Sequence, residues 1–178
     1  HVLDQGLAGL TYTRSNLAES GIATIGAGSN QTEAWQPAVI EQNGLRIAFV
    51  GASYTSLNDN GATRNDYVAR INDTARLREA VSQARELADF VVVTMHAGTE
   101  YTRKANPDQV VFAHAAVDAG ADLVIGSHPH WVQEAEEYQG KYIFYSQGNF
   151  IFHQKWSKET REGLALNITV TQAPAEGS

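Results

Sequence analysis

The 178-residue chain contains no cysteine. That excludes disulfides, thiolate metal sites and a cysteine nucleophile. It has four prolines and one methionine, and its opening "HVLDQG" shows neither a charged n-region nor a processing pattern. No apolar run is long enough to span a bilayer. Basic residues are also scarce: thirteen against twenty acidic ones leave a net charge of −7. A basic face for nucleic acid is therefore not expected. Phosphorylated substrates are not excluded, because a bound metal reverses the local sign of charge.

What is present reads as one α/β domain over residues 1–172, followed by a disordered tail at 173–178. "GLAGLTYTRSNLAESG" predicts a helix with Leu7, Leu10 and Leu17 on one face and Gly21 as its stop. "IATIGAG" predicts a short strand. "PAVIEQNGLRIAFVGAS" predicts a hairpin turning at Asn43-Gly44. Residues 54–72 are polar and read as a loop with one helical turn. "DTARLREAVSQARELAD" is an amphipathic helix capped by Asp73, with Leu77, Ala80, Val81, Ala84 and Leu87 at helical spacing.

"FVVVTMH" and "DLVIGSH" are continuous apolar runs of the kind buried on both faces of a sheet. Between them lies a helix that opens on Pro107 and closes on Gly120. "WVQEAEEYQGKYIFYSQGNF" predicts two strands turning at Gln139-Gly140. "GLALNITVTQ" predicts a last strand with alternating faces.

The two buried strands and their helix form a β-α-β unit, which predicts a right-handed crossover and parallel strands. Neighbouring strands lie ~4.8 Å apart. His96 ends the first and His128 the second, with His130 two residues on. All three therefore fall on the carboxyl edge, where open α/β sheets bind ligands. Imidazoles without cysteine suit a metal held by nitrogen and carboxylate, and zinc, manganese, iron and nickel are all compatible. A lone strand-end histidine is usually just a half-buried polar group; the His-x-His pair meeting a third histidine favours a functional site. Glu100 and Tyr101 follow His96 within reach of the same edge. Asn149 ends "SQGN", on a strand whose direction the pattern leaves open. His153 reads as supporting the site or as surface. His114, in mid-helix, reads as packed or half-exposed.

Four ordered stretches, "HVLDQGLAGLTYTRSNLAESGIATIGAG", "MHAGTEY", "GADLVIGSHPHWVQ" and "YIFYSQGNFIF", resemble the bacterial capsule-synthesis CapA family, also described as the poly-γ-glutamate biosynthesis PgsA family. That resemblance implies a calcineurin-like metallophosphoesterase fold, here without its amino-terminal strands: His1, Asp4 and Gly6 match the end of a family motif whose two preceding asparagines are not in the chain. By position it implies His96 and His128 as ligands of one divalent ion (manganese, zinc, iron or magnesium) and His130 as ligand of a second. His1 would protonate the leaving group or stabilise charge. Glu100, Tyr101, Asn149 and His153 would bind substrate or support the ligands. The implied function is capsule or poly-γ-glutamate biosynthesis, with a general phosphoesterase or a non-catalytic polymer-binding subunit as alternatives. Implied partners are an anionic capsule polymer or a phosphorylated small molecule, and capsule-synthesis membrane subunits, in an extracytoplasmic, membrane-associated protein. An open strand edge in a chain of this kind predicts self-association or pairing with the missing part.

Overall fold

The computed structural model describes residues 1–54 and 66–171, so the expected helical turn within 54–72 falls largely, and the tail at 173–178 wholly, outside the described residues. The molecule is α/β: one six-stranded sheet in the order β1-β2-β3-β4-β6-β5. The strands are β1 (Ala38–Gln42), β2 (Leu45–Ser53), β3 (Phe90–His96), β4 (Leu123–Ser127), β5 (Ala135–Tyr138) and β6 (Lys141–Phe144). β2, β3, β4 and β6 run parallel, and β1 and β5 are antiparallel edges.

Local chemistry accounts for most of this. Both hairpins turn where two consecutive residues sit in the left-handed region: Asn43 and Gly44 at φ 54° and 77°, Gln139 and Gly140 at 51° and 74°. That is the turn whose twist matches the flanking strands. Helix α1 (Gly6–Glu19) buries only Leu10 of its leucine face; Leu7 is 43% exposed. A short α2 spans Gln31–Ala34. In α3 (Thr74–Leu87) the Asp73 carboxylate accepts from Arg76 N, and Leu77, Ala80, Val81 and Ala84 are buried, whereas Leu87, expected on that face, is exposed at the last turn. Helix α4 (Pro107–Asp118) opens on Asn106, whose side chain and that of Gln109 cap each other's backbone N–H groups.

α3 and α4 pack on the same side of the sheet. They enclose a core of Val50, Val91, Val93, Met95, Val124, Ile143 and Tyr145 with Leu77, Val81 and Phe112. The other side carries Phe49, Val92, Leu123, Tyr142 and Phe144 in register. Tyr142 there is 56% exposed, and residues Asn167–Thr169 border a cleft over Leu123 and Phe144.

Two expected strands do not form. Residues 22–25 run without a ladder, and only Ala27 bridges, to Val68. Residues 163–171 are likewise non-ladder, apart from a Gly148–Gly163 bridge and the Leu164 N–H donating to Gln147 O. An alternating pattern makes a segment eligible for a strand; a ladder also needs a facing partner. None of the described residues supplies one to these segments.

Candidate functional site

β3 and β4 pair in parallel with His96 opposite Ser127, so the expected neighbourhood of His96 and His128 on the carboxyl edge is observed. Their ring centroids are 4.9 Å apart, and His128 and His130 are 6.3 Å apart. β6 is also parallel to β4, which settles the direction left open by the pattern and brings Ser146–Asn149 to the same edge.

The backbone at the edge is unusual. His128, His130 and Tyr101 are at φ 106°, 61° and 61°. Non-glycine residues adopt this left-handed region at a cost of order 1–3 kcal/mol each and hold it only where surroundings enforce it. The Tyr101 N–H donates to Pro129 O (2.9 Å), which ties the loop after β3 to the His-Pro-His turn.

Hydrogen bonds orient the His96 and His130 rings. His96 Nδ1 meets Ser127 Oγ at 3.2 Å, leaving Nε2 to the edge. The Asn149 Nδ2 donates to Thr160 O (2.9 Å), so its Oδ1 faces His130 and accepts from Nδ1 at 2.8 Å. That proton placement leaves the His130 Nε2 lone pair outward, 3.9 Å from Glu100 Oε1. Tyr101 stacks on His130 (5.7 Å, 17°), Trp156 meets Tyr101 edge-on at 4.6 Å, and Phe152 lies 5.3 Å from His130.

Burial disfavours the charged form of His96 and His128 and lowers both to about 4. At His96 the neighbouring His128, the amino group of His1 and His130 add to this; at His128, His130 and the amino group of His1 do. His96 stays open to solvent on one side. Both rings are therefore neutral at pH 7, the state in which imidazole donates to a metal.

The remaining expected residues are placed less centrally. His1 turns its ring to Asp4 (Nδ1 to Oδ2, 2.8 Å) and is largely exposed, and its amino charge is felt at His96 and His128. His153 is exposed. His114 is half-exposed on α4, stacked on Tyr138 at 3.8 Å and bonded to Glu136, away from the edge. Three neighbours escaped the sequence reading. Tyr54 packs 4.4 Å from His128 and 6.3 Å from His96, from a segment that read only as loop. Gln109 and Gln133 gave no signal as single polar residues in an expected helix and an expected strand.

The donors fit a divalent ion in kind, as two neutral imidazoles with a third nearby. They fall short in number: among the described residues no three His, Cys, Asp or Glu side chains are placed to hold one ion. No helix of the described residues is long and apolar enough to cross a membrane.

The family model described as bacterial capsule synthesis protein PGA_cap matches residues 1–154. The chain is 35% identical over 165 residues to the PGA biosynthesis protein CapA of Bacillus subtilis (strain 168), covering 92% of this chain and 43% of that protein. It is 35% identical over 168 residues to the capsule biosynthesis protein CapA of Bacillus anthracis, covering 92% and 41%. It is 33% identical over 196 aligned positions to a probable polyglutamine synthesis accessory protein of Mycobacterium tuberculosis, covering all of this chain and 50% of that one. The chain thus spans half or less of the length of these relatives. With the family model matching most of its residues and a third of them shared with relatives along nearly its whole length, the chain belongs to the bacterial capsule synthesis protein family PGA_cap.

Proposed function

We propose that the chain is part of a capsule or polyglutamate biosynthesis protein whose imidazole edge holds a divalent metal and serves a phosphoesterase-like hydrolysis. The observation that carries this is the pair of neutral imidazoles, His96 and His128, on adjacent parallel strands with His130 alongside. His96 and His128 would hold the ion. His130, its Nδ1 proton committed to Asn149, presents Nε2 to the same space, and Glu100 can orient a substrate hydroxyl or accept a proton there. A bound divalent ion would supply charge stabilisation and a water of lowered pKa. Tyr101, Phe152 and Trp156 line one side of His130, with Phe152 and Trp156 themselves open to solvent.

Titration of manganese or zinc into the chelator-stripped chain tests this. The expected result is weak binding of at most one ion per chain, abolished in His96→Ala and in His128→Ala while the circular dichroism spectrum is kept. Equal binding by parent and variants would sink the reading. Two tightly held ions would show a more complete site than two imidazoles provide.

A second reading, a non-catalytic polymer-binding subunit, is favoured by the shortfall in ligands among the described residues. Metal-dependent hydrolysis of a phosphodiester or of γ-glutamyl polymer by the longer protein separates the two: activity lost in His128→Ala supports hydrolysis, and polymer binding unchanged by metal and without turnover supports the subunit.

A further inference from the structure

Gln109 is fully buried and Gln133 is 6% exposed, yet neither lies at the imidazole edge. Buried amides cost free energy unless every donor and acceptor is paired. Here the pairing is complete. Gln109 Oε1 accepts from Asn106 N (3.0 Å), and its Nε2 donates to Gln133 Oε1 (2.9 Å) and to Tyr145 O (3.2 Å). Gln133 Nε2 donates to Thr102 O (3.3 Å), Thr102 Oγ1 (3.3 Å) and Lys104 O (2.9 Å), while the Gln133 N–H donates to Ser146 O (3.1 Å). The network fixes both amide orientations, because either flip would set donor against donor.

The segments joined are the ones that carry the site: the loop with Glu100 and Tyr101, the strand end running to Asn149, and the turn with His128 and His130. Packing reinforces the connection. A Cβ on Gly98, at φ 129°, would fall 2.6 Å from Gln109 Oε1 and 2.8 Å from Pro129 Cγ, so the amide and the His-Pro-His turn both press on that backbone. Three left-handed residues, Tyr101, His128 and His130, need surroundings that enforce them.

We propose that Gln109 and Gln133 are positioning residues: their buried amide pair clamps the loop after β3 to the His-Pro-His turn and so sets the placement of His130 against Tyr101. The clamp acts whether or not the edge binds metal, so its test is independent of the metal-site reading.

The test uses Gln133→Met and Gln109→Met, which keep side-chain length and remove the amide. In each, the nuclear Overhauser contacts between the His130 and Tyr101 rings are expected to vanish. Exchange of the Tyr101 amide should rise about tenfold relative to the Val92 and Val93 amides of β3 in the same variant. An Ile143→Val control, which trims the core between the same layers, should leave both readouts unchanged. Folded glutamine variants that retain the ring contacts and the parent exchange ratio overturn the proposal. Should both variants fail to fold, the parent chain decides it. The Tyr101 amide and the side-chain amide protons of Gln109 and Gln133 should then open with the same free energy. A Tyr101 amide protected about a hundredfold less than those side-chain protons overturns the clamp.

Discussion

Gly126→Ala is expected to lower stability by about 4 kcal/mol, at the upper end of single substitutions. Gly126 lies where β4 passes β6. A Cβ built there overlaps the Tyr145 carbonyl oxygen and sits 2.7 Å from its carbon, with Met95 Cε at 3.1 Å. The obstacle is main chain, which cannot rotate away as a side-chain tip can. Relief requires β4 and β6 to separate at the point where Gln147 N donates to Gly126 O (3.1 Å), and that movement carries Ser146–Asn149 away from His130. The glycine of "GSHPH" is therefore a packing requirement of the sheet with a consequence at the site. Urea denaturation checks this: an unfolding free energy within about 1 kcal/mol of the parent's would mean that the two strands can part at little cost.

Asp122→Ala is expected to cost about 3 kcal/mol. The Asp122 side chain is 7% exposed, at the edge of the sheet opposite the imidazoles. Its carboxylate accepts from Arg85 (2.6 Å), Lys141 (2.7 Å) and the Val91 N–H (2.9 Å), linking α3, β3 and β6. Burial pushes its pKa up, but the Lys141 ammonium, the Val91 N–H and the Arg85 guanidinium outweigh this, so the net shift is downward from 3.8. A carboxyl depressed in the folded state contributes stability that is present above its unfolded value and lost as pH falls through the folded one. The alanine variant should therefore differ most from the parent at neutral pH and approach it as pH falls below 3.8 and through the lowered folded value. Midpoints recorded across that range test both the size and the sign. A gap that stayed constant into strong acid would show that lost packing, and not the carboxylate, causes the destabilisation.

The elements legible in the sequence are those whose hydrogen bonds close locally. Asp73 caps, and Pro107 opens, helices whose bonds reach only four residues back, and Asn43-Gly44 and Gln139-Gly140 accept a backbone that most residue pairs refuse. From β3, α4 and β4, the crossover rule then placed His96 and His128 on one edge without any contact being known. The failures share the opposite property. Residues 22–25 read as a short strand and residues 163–171 alternate as a strand should, but a strand's bonds belong to its neighbour, and local pattern says nothing of whether a neighbour arrives.

The sequence by itself determined the α/β class, the three long helices, the two hairpins and the edge on which the histidines meet, because caps, turn residues and the handedness of a crossover act over a few residues or by a general chiral rule. Only the tertiary structure decided the rest. It set β6 beside β4 and so brought Asn149 to His130, turned His1 toward Asp4, packed Tyr54 on His128, and buried Gln109 against Gln133. Each of these joins residues distant in the chain or selects one rotamer among several, and such contacts depend on how whole elements pack, which no local pattern encodes.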